Sequence, residues 1–277
     1  MLTFDAKLPD LADLLRFYAE AGVDEALDDM PADRFAEAAA AQAARAPARR
    51  QETPAPARPA APQPAAPMPA VPDEAQAAKA RELARQAQTL EELRDIVDSF
   101  DGCNLKFTAK QIAFSDGNPN ASLMLVGEAP GRDEDIQGKP FVGRSGQLLD
   151  RMLAAIGIER ASGAYIANVI PWRPPGNRTP TPLETEICRP FIERQIELVN
   201  PKVLVTLGGP SAKALLHATE GMLKLRGKWK MHMTPSGAEI ATMPTLHPAY
   251  LLRNPAHKKL AWRDFLEIRA KLEMPVE

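Results

Sequence analysis

Four short apolar runs alternate with longer amphipathic segments in the C-terminal two thirds of the chain. The runs of strand length cover residues 122–126, 164–169, 202–207 and 239–243, and the segments with helical spacing of apolar residues cover 145–156, 181–199, 210–217 and 257–272. Strands that alternate with helices favour a parallel sheet with helices on both faces. We therefore predict an α/β fold with three α/β/α layers and a central, mostly parallel four-stranded sheet.

The N-terminal third of the chain carries a different pattern. Apolar residues at near-helical spacing between 10 and 21 predict a short amphipathic helix, which Gly22 could end. From 41 to 72 the sequence consists mainly of Ala, Pro, Gln and Arg with nine prolines, so it has little to bury against its chain entropy. We divide the chain into a short helical segment (1–40), a disordered Ala/Pro-rich linker (41–74) and a globular domain (75–277).

Two roles remain open for the N-terminal helix. It either docks on, or is merely tethered to, the globular domain, or it offers a peptide to a protein partner. The start of the globular domain carries clearer signals, because Asp73 begins a helical run. Farther on, Thr89 and Glu92 form a capping-box pattern ahead of a second run.

The charges of the chain are unevenly distributed. The net charge of the 277 residues is −2, yet residues 222–263 hold eight basic residues and a single acidic one, Glu239. Such an excess suits a polyanionic partner, and the alternative is a solvated basic face.

Cysteine usage and the N-terminus indicate the compartment. Two cysteines cannot form a disulfide framework and indicate a reducing environment. The first residues show no basic segment followed by an apolar core, and no run approaches the roughly 20 apolar residues that span a bilayer. We expect a cytoplasmic monomer with no membrane partner.

Each of the four predicted strands is followed by residues suited to a site. The segments are a glycine-rich loop from Gly127 to Phe141, Asn168 before a proline-rich loop, the turn Gly208–Gly209–Pro210–Ser211, and His247 at the start of a loop. Each signal alone is weak. Together, a glycine-rich loop, an aromatic ring, an amide and a neutral imidazole could stack on a flat polar heterocycle and hydrogen-bond to its edges.

These segments also carry a resemblance to a known family. Residues 103–270 resemble the family 4 (type 4) uracil-DNA glycosylases in four motifs that occur in the right order: GEAPG at 127–131, ED at 134–135 with GKPFVG at 138–143, Asn168 ahead of RPPGNR at 173–178, and HPAYLLRNP at 247–255. The resemblance implies a monofunctional enzyme that flips uracil out of single- or double-stranded DNA and hydrolyses its N-glycosidic bond, leaving an abasic site.

The resemblance also implies roles for the pocket residues. Phe141 would stack on the extruded uracil, Asn168 would bond its N3 and O4 edge, and Glu134 would guard the C5 side against a methyl group. His247, neutral and donating, would bond O2 of the departing base. The segment Gly127–Glu128–Ala129 would form one wall of the pocket, with Glu128 positioning the attacking water.

Further residues would contact the DNA. Tyr250 and Leu251 stand where related glycosylases insert an apolar wedge into the gap that the flipped base leaves. The structural alternative is that Leu251 and Leu252 begin a helix and face the core. Phosphates would be met by Arg253, Lys258 and the turn that contains Gly208 and Ser211.

The sequence departs from the family at the cofactor. Relatives hold a [4Fe-4S] cluster with four cysteines, whose positions correspond here to Cys103, Lys106, Trp172 and Cys188. Iron-sulfur clusters depend on thiolates, and two of the four ligands are replaced. We predict that no cluster or other metal is bound and that Trp172 fills the vacated space near the two remaining cysteines.

Two other functions remain alternatives. One is a glycosylase for other deaminated bases, or one that traps DNA covalently, although the loop at His247 lacks an inserted basic segment for trapping. The other is a noncatalytic DNA-binding or scaffold protein. The joint presence of Glu128, Phe141, Asn168 and His247 argues against this last alternative, because binding alone does not need all four.

Overall fold

The computed structural model describes residues 73–274, in which helices surround one six-stranded sheet. The helices are α1 (Asp73–Gln86), α2 (Leu90–Ser99), α3 (Leu105–Thr108), α4 (Arg132–Gln137), α5 (Arg144–Ala155), α6 (Arg160–Gly163), α7 (Pro182–Val199), α8 (Gly209–Leu216), α9 (Met222–Leu225), α10 (Pro248–Arg253) and α11 (Lys258–Glu273), with 3-10 turns at Pro175–Asn177 and Pro255–His257. The strands are β1 (Asp116–Gly117), β2 (Leu123–Gly127), β3 (Tyr165–Asn168), β4 (Val203–Leu207), β5 (Lys230–Met233) and β6 (Glu239–Thr245).

The strand order is β1-β3-β2-β4-β6-β5, and the four predicted strands are its inner members β3, β2, β4 and β6, all parallel. The prediction of a four-stranded sheet is wrong in number, because β1 and β5 add antiparallel edges. Neither edge strand has an apolar run. The strand β1 has two residues, and β5 buries only His232 while it exposes Met231 and Met233.

The inner strands are buried on both faces, which confirms the three-layer architecture. Successive side chains of a strand point to opposite faces. In β2, Met124 and Val126 accordingly join a core with α1, α2 and α7, whereas Leu123 and Leu125 join a second core with α5 and α11. A strand covered on both faces reads as a continuous apolar run, and that run made these strands predictable.

The predicted helices begin and end within a few residues of their predicted bounds. At the start of α2, the hydroxyl of Thr89 accepts a hydrogen bond from the amide of Glu92 at 3.1 Å, as the capping pattern predicts. A reciprocal capping box between Thr181 and Glu184 starts α7. The short helices α4, α6 and α9 were not predicted, since four to six residues give too little periodicity.

The predicted helical segment 1–40 and the predicted linker up to residue 72 lie outside the described residues and stay predictions. Within residues 73–274, no helix combines the length and apolar character needed to cross a membrane.

The sheet brings the four predicted strand ends to one edge. Gly127 at the end of β2 lies beside Asn168 at the end of β3, and Leu207 of β4 lies beside Thr245 of β6. In an open α/β sheet the carboxyl edge is where ligands bind.

Candidate active site

A cavity of about 320 Å³ opens at this carboxyl edge and brings most of the predicted site residues together. The predicted residues in its lining are Glu128, Ala129, Glu134, Phe141, Asn168, His247 and Arg253. A larger cleft of about 930 Å³ shares four of them, Glu128, Ala129, His247 and Arg253, and adds Gly208 and Tyr250. One continuous site therefore extends from the Asn168 pocket towards α8, α9 and α10.

Asn168 lines the smaller cavity and carries an unsatisfied polar atom. The residue is only 5% exposed, and its Oδ1 is buried without a hydrogen-bond partner among residues 73–274. A buried carbonyl oxygen without a partner is destabilising by about 1–3 kcal/mol. The amide group is thus ready to accept a hydrogen bond from a ligand and, through Nδ2, to donate one.

Gly127 is required by close packing beneath this amide. A Cβ atom at Gly127 would lie 2.4 Å from Asn168 Oδ1 and 2.6 Å from the Phe141 ring. Any side chain here would displace the amide, the ring or both. Gly127 therefore contributes to the pocket because the absence of a side chain leaves room for the Asn168 amide and the Phe141 ring.

Phe141 has an unusual backbone. Its φ is +53°, in the left-handed region that non-glycine residues rarely adopt. Its ring is buried and lies 5.4 Å from the His247 ring, with an angle of 29° between the two planes. The aromatic wall of the cavity thus consists of two rings, one from the segment after β2 and one from the segment after β6.

His247 is held as a neutral imidazole with a defined tautomer. It is the N-cap residue of α10, and its Nδ1 accepts a hydrogen bond from the amide of Ala249 at 3.1 Å. The proton of the neutral ring therefore sits on Nε2, which is free to donate. Burial and the nearby charge of Arg253 lower the pKa of His247 from 6.5 to about 4, so the ring is uncharged at neutral pH.

Glu128 follows β2 directly and lines both cavities. Burial raises the pKa of its carboxyl group above the ordinary 4.5. Its backbone carbonyl accepts from the amide of Ile170 at 3.0 Å, which ties the loop after β2 to the loop after β3. A half-buried carboxylate with a raised pKa suits the acceptance of a proton from water.

The carboxylate of Glu134 is engaged with the backbone. Its Oε1 accepts from the amides of Val142 and Gly143 at 3.0 and 2.9 Å, and its Oε2 accepts from Gly131 at 3.1 Å. The residue is 7% exposed and lines the cavity. Glu134 therefore joins the loop after β2 to the Phe141 loop, a role that the sequence reasoning did not assign to it.

The turn after β4 lies at the larger cleft, which it lines with Gly208, Gly209 and Pro210. Gly208 has φ +95°, and a Cβ atom there would lie 3.1 Å from His247 Cβ, so the turn packs against the histidine. Ser211 is fully buried, and its hydroxyl donates to the Gly208 carbonyl at 3.1 Å. The Ser211 hydroxyl is thus engaged within the turn, and a phosphate contact of this turn stays a prediction.

Leu251 does not face the cleft. It is 1% exposed and packs in a small core with Leu148, Leu246 and Ala261. This placement corresponds to the structural alternative and does not support a wedge at Leu251, because a side chain that packs α10 onto α5 cannot also enter DNA without breaking that core. Lys258 lines a separate hollow of about 200 Å³ beside Trp262.

Tyr250 and Arg253 remain at the cleft. Tyr250 lines the larger cavity, and its hydroxyl lies 2.7 Å from His257 Nδ1, which fixes the ring. Arg253 is exposed and lines both cavities. Both side chains line the cleft, and their contact with DNA stays a prediction.

Several lining residues of the smaller cavity were missed by the sequence reasoning. They are Pro130, Gly131, Ser145, Pro174, Asn177, Arg178, Thr179, Pro180 and Ala249. Arg178 is oriented by two bonds to Glu184, at 2.9 and 2.6 Å. The available signal was the position of the RPPGNR segment directly after β3, at the carboxyl edge.

The two cysteines lie in a packed core. The Cys188 thiol lies 3.8 Å from Cys103 Sγ, and both residues are at most 1% exposed. Trp172, 2% exposed, belongs to the same core, and the Lys106 ammonium bonds Asp101 at 2.7 Å. Two thiols do not make a four-thiolate ligand set, and residues 73–274 contain no group of three or more His, Cys, Asp or Glu side chains that could hold a metal ion.

Comparisons with known proteins agree with the motifs. Residues 114–266 match the Uracil DNA glycosylase superfamily. The chain is similar to the type-4 uracil-DNA glycosylase of Sulfurisphaera tokodaii, with 40% identity over 65% of this chain and 84% of that protein. It is likewise similar to those of Archaeoglobus fulgidus, with 40% identity over 65% and 92%, and of Thermotoga maritima, with 41% identity over 60% and 86%.

Proposed function

The chain belongs to the uracil-DNA glycosylase superfamily, and from this premise we propose that it excises uracil from DNA as a monofunctional hydrolase. The substrate is a uracil nucleotide flipped out of single- or double-stranded DNA. The products are free uracil and an abasic site.

The unpartnered Oδ1 of Asn168 is the observation that carries this proposal. Uracil presents a donor at N3 and an acceptor at O4, which match Oδ1 and Nδ2 of a single amide. Cytosine presents the reverse pattern and would leave buried polar groups unpaired, a mismatch that can exclude an analogue by several orders of magnitude. The cavity of about 320 Å³ around Asn168 has Phe141 in its wall, against which the base can stack.

The reaction then separates charge in a direction that the site accommodates. The bond from C1′ to N1 breaks, and its electron pair leaves with the base. His247 Nε2 donates to the O2 of the departing uracil, where negative charge develops. One such donor typically lowers the activation barrier by about 3 kcal/mol. Glu128 orients the water whose oxygen bonds to C1′ and accepts its proton.

Leu223, rather than the buried Leu251, makes the apolar contact with DNA at the gap that the flipped base leaves. It is 56% exposed on α9 and lines the larger cleft beside His247. Lys224 follows it in the same lining, so an apolar side chain and a phosphate-binding charge stand together. An exposed apolar side chain at this rim can stack against bases that the flipped nucleotide has left.

The enzyme works without an iron-sulfur cluster. Only Cys103 and Cys188 remain of the four expected thiolates, and the proposed chemistry uses neither. Iron and acid-labile sulfide analysis of protein purified without oxygen tests this, with less than one atom of each expected per chain. About four of each per chain, the content of a [4Fe-4S] cluster, would refute it.

Excision assays test the function directly. Single-stranded and duplex oligonucleotides that carry uracil, hypoxanthine or no lesion are incubated with the protein, and abasic sites are then cleaved with alkali. We expect cleavage only with uracil, and its loss in Asn168→Ala and in His247→Ala. The exposed residues Asn120 and His217 supply matched controls, Asn120→Ala and His217→Ala, which retain activity.

Other outcomes of the same assay identify the alternatives. Cleavage at hypoxanthine would indicate a broader deaminated-base glycosylase, and a covalent adduct that survives denaturation would indicate trapping. Tight binding of uracil-DNA without any product would indicate a noncatalytic DNA-binding protein.

A further inference from the structure

The backbone at Phe141 is held by one arginine that comes from another part of the chain. Arg160, the first residue of α6, donates from Nη2 to the Pro140 carbonyl at 2.6 Å and from Nη1 to the Phe141 carbonyl at 3.0 Å. These two carbonyls flank the left-handed residue, whose φ is +53°. An Arg side chain presents its donors in a rigid planar fork, so two adjacent carbonyls are fixed relative to each other.

The guanidinium is itself fixed by two carboxylates. Its Nε donates to Asp116 at 2.8 Å, and Nη1 also donates to Asp150 at 2.8 Å. The Arg160 side chain is only 17% exposed. Arg160 therefore joins β1, the Phe141 loop and α5 at a single group.

The other side of Phe141 is held by Glu134, which accepts from the amides of Val142 and Gly143. Space for the arrangement comes from Gly146 in α5, where a Cβ atom would lie 1.9 Å from the Phe141 carbonyl oxygen. The peptide after Phe141 is thus bound at its carbonyl by Arg160 and at its amide by Glu134, and the peptide before Phe141 is bound at its carbonyl by Arg160. Such over-determination is what keeps a residue in an unfavourable backbone conformation.

We propose that Arg160 is a positioning residue for base recognition, which acts by holding the Phe141 ring at the depth where uracil stacks on it. The inference rests on the proposed function, because it assigns a purpose to a clamp beside the uracil pocket. The Phe141 ring is already the closest neighbour that a side chain at Gly127 would meet, together with Asn168 Oδ1. A small rotation of the Phe141 backbone would therefore move the ring into, or away from, the base and the amide.

A double-mutant cycle separates this role from a merely structural one. Arg160→Lys keeps the positive charge beside Asp116 but cannot bridge two carbonyls and two carboxylates. We expect Arg160→Lys to raise KM for a uracil oligonucleotide about tenfold or more while kcat changes less than about threefold, since the loss falls on base stacking. In the Phe141→Ala background the same substitution should change kcat/KM less than about twofold, because the ring that it positions is absent.

Controls and contrary outcomes are defined by the same measurements. Arg151→Lys, at an exposed arginine of α5, should leave KM unchanged in both backgrounds. Asp150→Asn, which frees one end of the guanidinium, should show the Arg160→Lys effect in weaker form if the larger change proves too unstable to assay. If Arg160→Lys lowered kcat/KM equally in the wild-type and Phe141→Ala backgrounds, or in neither, the proposal would be overturned. Excision by the wild-type protein would still support the proposed function in that case. A wild-type protein that released no uracil would refute the proposed function instead, and the purpose assigned to the clamp with it.

Discussion

The pocket at Asn168 and the core around Cys188 both lie next to the segment that follows β3, yet they are built in opposite ways. The pocket contains a buried amide oxygen without a partner and an aromatic residue with a left-handed backbone. The core contains Cys103, Cys188 and Trp172, all at most 2% exposed within one continuous hydrophobic cluster. The pocket therefore contains a polar atom that a ligand could bond, whereas Cys103, Cys188 and Trp172 themselves carry neither an unpartnered buried polar atom nor a left-handed backbone.

Because of this difference, one region can determine activity and the other stability. A site for a bound base must keep polar groups unsatisfied and a cavity open before the base arrives. The cysteine core contains the Trp172 indole, which contributes apolar burial and packing contacts. Changes in the pocket should therefore affect activity with little effect on stability, and changes in the core should do the reverse.

The largest effect on activity is expected from Asn168→Ala. Removal of the amide takes away both hydrogen bonds to the N3 and O4 edge, and a site built to bond such groups loses about 10³-fold or more in kcat/KM without them. Because the orphaned oxygen disappears, the free energy of unfolding should stay the same or increase. Single-turnover excision and urea unfolding measure the two quantities, and a large loss of stability would contradict the contrast between pocket and core.

A smaller effect is expected from pH, through the two titratable groups of the site. Glu128 must be ionised to accept a proton, and burial places its pKa above 4.5, whereas the pKa of His247 is about 4. As pH falls, Glu128 is therefore protonated before His247, and the rate should rise with pH through the raised pKa of Glu128. His247 should produce no break near 6.5, the ordinary value for a histidine.

Glu128→Gln provides the matched control for the pH profile. The variant should lose about 10²-fold in rate at neutral pH, typical for the removal of a general base, and its acid limb should disappear. Excision rates between pH 4 and 9 test both statements. A break near 6.5 that His247→Gln removes would mean that the imidazole titrates at its ordinary pKa, contrary to its buried position.

The sequence alone was sufficient for the framework of both regions. The inner strands are buried on both faces, so their apolar runs were readable, and the residues of the pocket follow directly from the ends of those strands. Edge strands β1 and β5 were not readable, because partly exposed strands of two and four residues carry no such run. The order of the motifs along the chain, together with the resemblance, identified seven of the residues that line the pocket.

The contacts that support the pocket could not be predicted in the same way. Arg160 reaches the Phe141 loop across 19 positions in the sequence, and its contacts depend on how α6 packs. The burial of Leu251 was not foreseen, because position in a motif does not tell which face of α10 a residue occupies. Glu134 was assigned to the base alone, since nothing in a sequence shows that a carboxylate is occupied by amides from a loop eight residues away.

A buried leucine of α10 and an exposed leucine of α9 should differ in the property that each supports. Leu251→Ala should reduce the free energy of unfolding by about 2–5 kcal/mol, as expected for a fully buried leucine. Leu223→Ala should leave stability within about 0.5 kcal/mol, because the side chain is exposed. Leu223→Ala should lower the excision rate about tenfold for duplex DNA and by a smaller factor for single strands. The reason is that a flipped base leaves a gap in the base stack only in a duplex. A stable Leu251→Ala with impaired excision would restore Leu251 as the wedge. An unstable Leu223→Ala would contradict the exposed position of Leu223.

The smallest effect on activity is expected from Cys188→Ala, although the residue is completely buried. The hydrogen bond with Cys103, together with burial, raises the pKa of the Cys188 thiol well above its usual value, so the group stays neutral and packs as a small apolar side chain. Its removal leaves a small cavity that costs about 1 kcal/mol of stability. The excision rate should change less than about threefold, because neither thiol lines the pocket. Urea unfolding and single-turnover excision measure both, and a tenfold loss of rate with unchanged stability would mean that the cysteine core takes part in the function of the pocket after all.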